Sequence, residues 1–94
     1  MRPNAANAPS GASVEHTGTL VLAENRNRTA ARFTNISDTI IYLSLGSPAK
    51  VPLGIPLAAN GGSFELNATN MFTGPVYAIH DAVGEVKDMS VQEW

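Results

Sequence analysis

The sequence predicts an all-β fold: a single small antiparallel β-sandwich or barrel of about six or seven strands, with an extended N-terminal arm. Three observations carry that expectation. From Thr17 onward, apolar runs of roughly four to eight residues alternate with turn-forming clusters at short spacing. Within the runs, apolar and polar side chains alternate with period two, as on a strand whose successive side chains point to opposite faces. No segment sustains apolar residues at helical spacing, which argues against a substantial helix.

Residues 1–16 read as a flexible arm and 17–94 as the β domain. The arm is rich in Ala, Asn, Pro, Ser and Gly, and Val14 is its one sizeable aliphatic, too little apolar surface for self-ordering. Two readings follow, a disordered tail or an arm that orders against a neighbouring subunit. On either, its removal is expected to leave the fold intact.

The candidate strands are 19–23, 29–35, 39–45, 63–66, 75–80 and 85–92. Between them lie clusters such as Glu24-Asn25-Arg26-Asn27, Gly46-Ser47-Pro48 and Ala59-Asn60-Gly61-Gly62, residue types that tolerate turn dihedrals or bond their own backbone. Asn35-Ile36-Ser37-Asp38 is the strongest hairpin signal, joining two β-rich runs through a short loop. Alternation puts Ala31 with Phe33, and Ile41 with Leu43 and Leu45. The run 75–80 is apolar on both faces, which predicts a central strand. Val86 falls out of phase with Met89 and Val91, so a bulge near Lys87-Asp88 or an earlier strand start is expected. Pro48, Pro52 and Pro56 predict an extended loop or a sheet edge, because proline cannot donate to a ladder.

With 94 residues the chain has room for one core. There is no cysteine for a disulfide, and no Cys/His cluster for a structural zinc. Oligomerisation or docking on a larger surface is the remaining way to gain burial. Charged residues make up only 15% of the chain against 44% hydrophobic, which predicts a lightly charged surface that meets protein. A net charge of −2 with scattered Lys and Arg argues against nucleic acid and against an anionic membrane. Residues 39–45, the longest apolar stretch, are far short of a bilayer span, and the first ten residues have no apolar core of a signal peptide. A soluble, non-secreted protein is therefore expected. The sequons at Asn27, Asn35 and Asn67 read as chance triplets in an Asn-rich chain.

Nothing in the sequence assembles a reaction centre. His16 and His80 are the two histidines, and no motif places a carboxylate beside either for acid–base work. His80-Asp81 offers two ligand-type residues on opposite faces of a strand, short of a metal site. Gly61-Gly62 precedes a strand and not a helix, so it reads as a turn and not a phosphate cradle. The chain is expected to be no enzyme and to need no metal or cofactor. Trp94 reads as a sugar-stacking platform, a core residue, or an anchor in a neighbour's pocket.

Taken together, Arg28-Thr29-Ala30-Ala31-Arg32-Phe33-Thr34-Asn35-Ile36-Ser37-Asp38 running into Ile41-Tyr42-Leu43-Ser44-Leu45-Gly46, then Gly54-Ile55-Pro56-Leu57, Gly61-Gly62-Ser63-Phe64-Glu65 and Phe72-Thr73-Gly74-Pro75-Val76-Tyr77-Ala78-Ile79, resemble small tailed-bacteriophage virion proteins of the capsid decoration, cement or head-fibre group. The resemblance covers about residues 20–93. Asn25-Arg26-Asn27-Arg28 stands where similar proteins often read Pro and Arg, and the arm is longer than in the shortest members. The resemblance implies a virion structural protein on the capsid surface, present in the host cytoplasm during assembly. Its partner would be the major capsid protein or another virion protein, and its state a trimer or other cyclic homo-oligomer. Val14 and His16 of the arm, Pro48, Pro52 and Pro56 of the proline loop, and Trp94 are the expected interface residues. The alternative is a neck, tail or fibre module that recognises another virion protein or a host surface glycan; Tyr42 and Trp94 exposed together would favour the glycan.

Overall fold

The structure, a computed structural model, describes residues 10–94. Eight strands follow one another: β1 (Ser10–Glu15), β2 (Thr19–Leu22), β3 (Ala31–Asn35), β4 (Ile41–Leu45), β5 (Ile55–Leu57), β6 (Ser63–Leu66), β7 (Val76–Ile79) and β8 (Val86–Glu93). They form two four-stranded antiparallel sheets packed face to face, in the orders β1-β8-β3-β6 (sheet A) and β2-β7-β4-β5 (sheet B). The described residues contain no helix. The order follows from a nested hairpin: β4 pairs with β5, β3 with β6, β2 with β7 and β1 with β8. Rolling that ribbon brings β8 against β3 and β7 against β4, which yields the eight-stranded jelly roll.

Period-two alternation decides which side chains fill the space between the sheets. Ala31 and Phe33 of β3, Ile41 and Leu43 of β4, Leu57, Leu66, Val76, Ala78, Met89 and Val91 form one buried cluster. Leu45 packs against its margin. The expected central strand is central: β7 lies between β2 and β4.

Three sequence expectations change. The predicted flexible arm does not extend to residue 16. Ser10–Glu15 is a regular strand on β8, and Val14 is fully buried in the core, so loss of this strand would open the core. One aliphatic suffices because it is held between two sheets, where burial depends on position more than on local composition. Residues 1–9 of the arm lie outside the described residues. Second, the proline segment, read as an extended loop or a sheet edge and given no strand, supplies the edge: Ile55–Leu57 pair with β4 despite Pro56. Third, β8 runs from Val86 in unbroken register with β1, with no bulge; Val86 faces outward and is exposed, and Lys87 takes the inward phase with Met89 and Val91. The register break of the fold lies instead in β2, between Leu20 and Leu22.

Candidate functional site

Two buried polar residues at opposite ends of β3 fix the loops around the sandwich. The Arg28 side chain is wholly buried, and its Nε donates to Glu93 Oε2 at 2.7 Å. Nη1 donates to the carbonyls of Phe72 (2.7 Å) and Gly74 (3.1 Å), and Nη2 to that of Ala23 (2.7 Å). One guanidinium thus ties the β2–β3 and β6–β7 loops to the end of β8, which its fork of five donors makes possible. At the other end, Asn35 Nδ2 donates to the carbonyls of Thr39 (2.8 Å) and Leu57 (3.0 Å). Its Oδ1 accepts from the Ser37 N–H and Oγ, closing the expected β3–β4 turn.

His80 is also fully buried. Ala82 N–H donates to its Nδ1 at 3.0 Å, which leaves the ring proton on Nε2, aimed at the Val14 carbonyl 3.0 Å away. The ring is a brace between β1 and the β7–β8 turn. Beside it, Lys87 Nζ sits 2.6 Å from Glu85 Oε1 and 2.9 Å from Asp38 Oδ1. The Glu85 and Asp38 carboxylates hold the ammonium above the ordinary lysine value, and Lys87, with the Thr39 hydroxyl, holds the Asp38 carboxyl below its own. Among the described residues no three His, Cys, Asp or Glu side chains gather as a metal site would need.

With no reacting cluster in view, the outer faces of the two sheets become the surfaces to compare. Sheet A presents Arg32 against Glu65 and Gln92, Thr34 against Ser63 and Ser90, and Asp88 against Ser13. Sheet B presents Tyr42 against Pro56 and Ile79, Ser44 against Tyr77, and Tyr77 against Leu20. None of its four strands, TLVL, IYLSL, IPL and VYAI, contains a charged residue. Apart from the exposed Val86 at the start of β8, the outer face of sheet A is polar, whereas that of sheet B is apolar.

The proline loop, residues 46–54, completes the apolar face. Its Ala49 is buried, and the Ala49 carbonyl lies 3.8 Å from where a Cβ on Gly18 would sit, beside Ile79. Ile79 points outward from sheet B yet is only 7% exposed, its Cδ1 4.0 Å from that same Gly18 position. Gly54 sits at φ +102°, and a Cβ there would collide with the Leu43 carbonyl, so glycine is what lets the chain re-enter β5 this close to β4. Between loop and strand runs an open groove of about 500 Å³ lined by Ser44, Ser47, Pro48, Lys50, Leu53 and Gly54. Leu53, which lines it, is 64% exposed, and Leu20 on β2 (50%) and Ile40 just before β4 (44%) are exposed elsewhere on the sheet B side.

The expected interface residues separate accordingly. Pro48, Pro52 and Pro56 are exposed and belong to the sheet B side. Val14 faces the core and is withdrawn from any interface. His16 is half-buried in the β1–β2 turn, where its Nδ1 accepts from Gly84 N–H at 3.3 Å. Trp94 is half-buried at the end of sheet A, its N–H donating to Ala30 and its carbonyl accepting from Thr29, each at 2.8 Å. Tyr42 and Trp94 therefore lie on different sheets and form no joint stacking platform. Leu20, Leu53 and Tyr77 were not singled out; the absence of charge in four strands that share one sheet was the available signal. No protein-family model matches the chain, and comparisons with curated proteins and with solved structures find no match.

Proposed function

We propose that this chain is a non-catalytic structural protein of a virion, which decorates or cements the capsid by laying the outer face of sheet B on the shell. The observation that carries this reading is the contrast between the two outer faces. An apolar, charge-free sheet face with exposed Leu20 and Leu53 resembles the centre of a protein–protein contact, where charge is depleted. The three exposed prolines lower the entropy cost of ordering such a surface, since their backbone is already restricted. The jelly roll adds support by analogy only, because it recurs in capsid proteins but also in lectins and cupins. A small chain without disulfides gains stability by docking, and many symmetric copies make weak individual contacts sufficient. The partner would be the major capsid protein or another virion protein, and the site of action the capsid surface, reached from the host cytoplasm during assembly.

The test is co-sedimentation of the purified protein with shells of its own virus. Stoichiometric binding is expected, lost in Leu53→Glu and Leu20→Glu and kept in Arg32→Glu on the opposite face. A wild-type protein that stays in the supernatant, or sheet B variants that still bind, would overturn the proposal.

A further inference from the structure

The four edge strands of the two sheets differ in how they are closed. On β5, Pro56 removes a backbone donor. On β2, the register shift between Leu20 and Leu22 breaks the regular edge. On β6, Asn70 Nδ2 occupies the Glu65 carbonyl at 3.0 Å, and Glu65 itself places an exposed charge there. These are the devices by which sheets avoid joining edge to edge. Over Gly11, Ala12 and Ser13, β1 has none of them. It runs in regular register over its six residues, and among the described residues no side chain caps Gly11, Ala12 or Ser13. Its C-terminal end is engaged: His80 Nε2 faces the Val14 carbonyl, the Glu15 N–H donates to Thr19 Oγ1 and the Glu15 carbonyl accepts from Gly18 N–H.

We propose that β1 pairs antiparallel with β1 of a second copy, about a two-fold axis through Ala12. A molecule with one usable edge can join only an identical edge, and such an isologous contact closes at two copies without growing into a fibre. This geometry points to two-fold symmetry where the resemblance implies a trimer. The register follows from the faces. Opposed residues of an antiparallel pair share a face, so Ala12 meets Ala12 of the partner, and Gly11 meets Ser13 twice. That centring leaves Glu15, whose backbone groups are already engaged, outside the pairing and opposes no charges. Gly11 and Ser13 are exposed, small and neutral, as two closely approaching strands require. Because inner faces join inner faces, both copies direct sheet B to the same side. If sheet B docks on the shell as proposed above, the dimer docks through two faces at once, but the pairing itself does not rest on that reading.

Sedimentation equilibrium of the full chain tests it without any shell present. The expected mass is twice the 9.9 kDa of one chain. Gly11→Lys with Ser13→Lys opposes like charges at both symmetric positions and is expected to weaken the dimer by about tenfold or more. Gly11→Lys with Ser13→Glu opposes unlike charges instead and is expected to restore it. Both variants should keep the wild-type fold by circular dichroism, since a Cβ on Gly11 meets no atom within 4 Å. Independently, Ala12→Cys is expected to give a disulfide-linked dimer on oxidation; the natural chain has no cysteine. A monomeric or three-fold wild type, equal dimerisation of the two charge variants, or no cross-link at Ala12→Cys would each overturn the proposal.

Discussion

Arg28 and Glu93, 65 residues apart, meet at 2.7 Å in a place where the arginine side chain has no contact with solvent. A buried charge is stable there because each of the three guanidinium nitrogens finds an acceptor. Arg28→Met is therefore expected to cost about 3–5 kcal/mol, since it removes the counter-charge of Glu93 and the donors to three carbonyls together. Glu93→Gln keeps an acceptor in place and is expected to cost roughly 1 kcal/mol. Urea unfolding measures both, and equal losses would show that the charge and not the hydrogen-bond geometry matters.

His80 braces β1 through the Val14 carbonyl. His80→Phe keeps the ring volume but leaves that carbonyl and the Ala82 N–H without a partner, an expected loss of about 1–3 kcal/mol. Amide exchange should rise first in β1 and at Ala82. Uniform loosening across the sandwich would mean that the ring acts by packing alone.

The core phase is tested by Phe33→Ala and Leu43→Ala. Both side chains are fully buried, one from each sheet, and each deletion is expected to cost roughly 2–5 kcal/mol. The exposed neighbours serve as controls: Arg32→Ala should stay within about 0.5 kcal/mol. A loss well below 1 kcal/mol at Phe33 would put the register of β3 out by one residue.

Lys87 predicts a pH dependence at both extremes. Asp38 titrates lower in the folded protein than in the unfolded chain, so its contribution is present above about pH 4 and is lost as pH falls through the acid range. Lys87 titrates higher when folded, so its contribution is present below about pH 10 and is lost as pH rises past it. Lys87→Met should return the Asp38 carboxyl upward toward its ordinary value in a carbon-13 NMR titration. An unmoved Asp38 curve would show that the two groups do not meet in solution. Salt should weaken the effect, because both carboxylates are largely exposed.

Six of the eight strands were legible because alternation is written into them: Phe33 between Arg32 and Thr34, or Leu43 between Tyr42 and Ser44. β1 was not, since Gly11, Ala12 and Ser13 carry no apolar signal and Val14 alone does not make a pattern. β5 was hidden by Pro56, which sits in a strand only because that strand is an edge. Arg28 looks like an ordinary loop residue in the sequence and Asn35 like a hairpin residue; their burial follows from partners far along the chain, Glu93, Phe72 and Leu57. The proline loop was legible as a candidate surface, whereas the approach of its Ala49 carbonyl to Gly18 required the tertiary fold.

The nested pairing of the strands also sets when the protein can fold. β4 and β5 are joined by the innermost connection, and each outer pair closes around the one before it, so β1 waits for β8. On the ribosome the first strand made is the last to find its place, and Arg28 stays uncompensated until Glu93 has left the exit tunnel. Such long-range closure places folding among the slower topologies, in roughly milliseconds to seconds. Until that moment β1 and β3 lack the strand that lies between them, which makes the nascent chain, more than the finished domain, the form that must be kept from its neighbours.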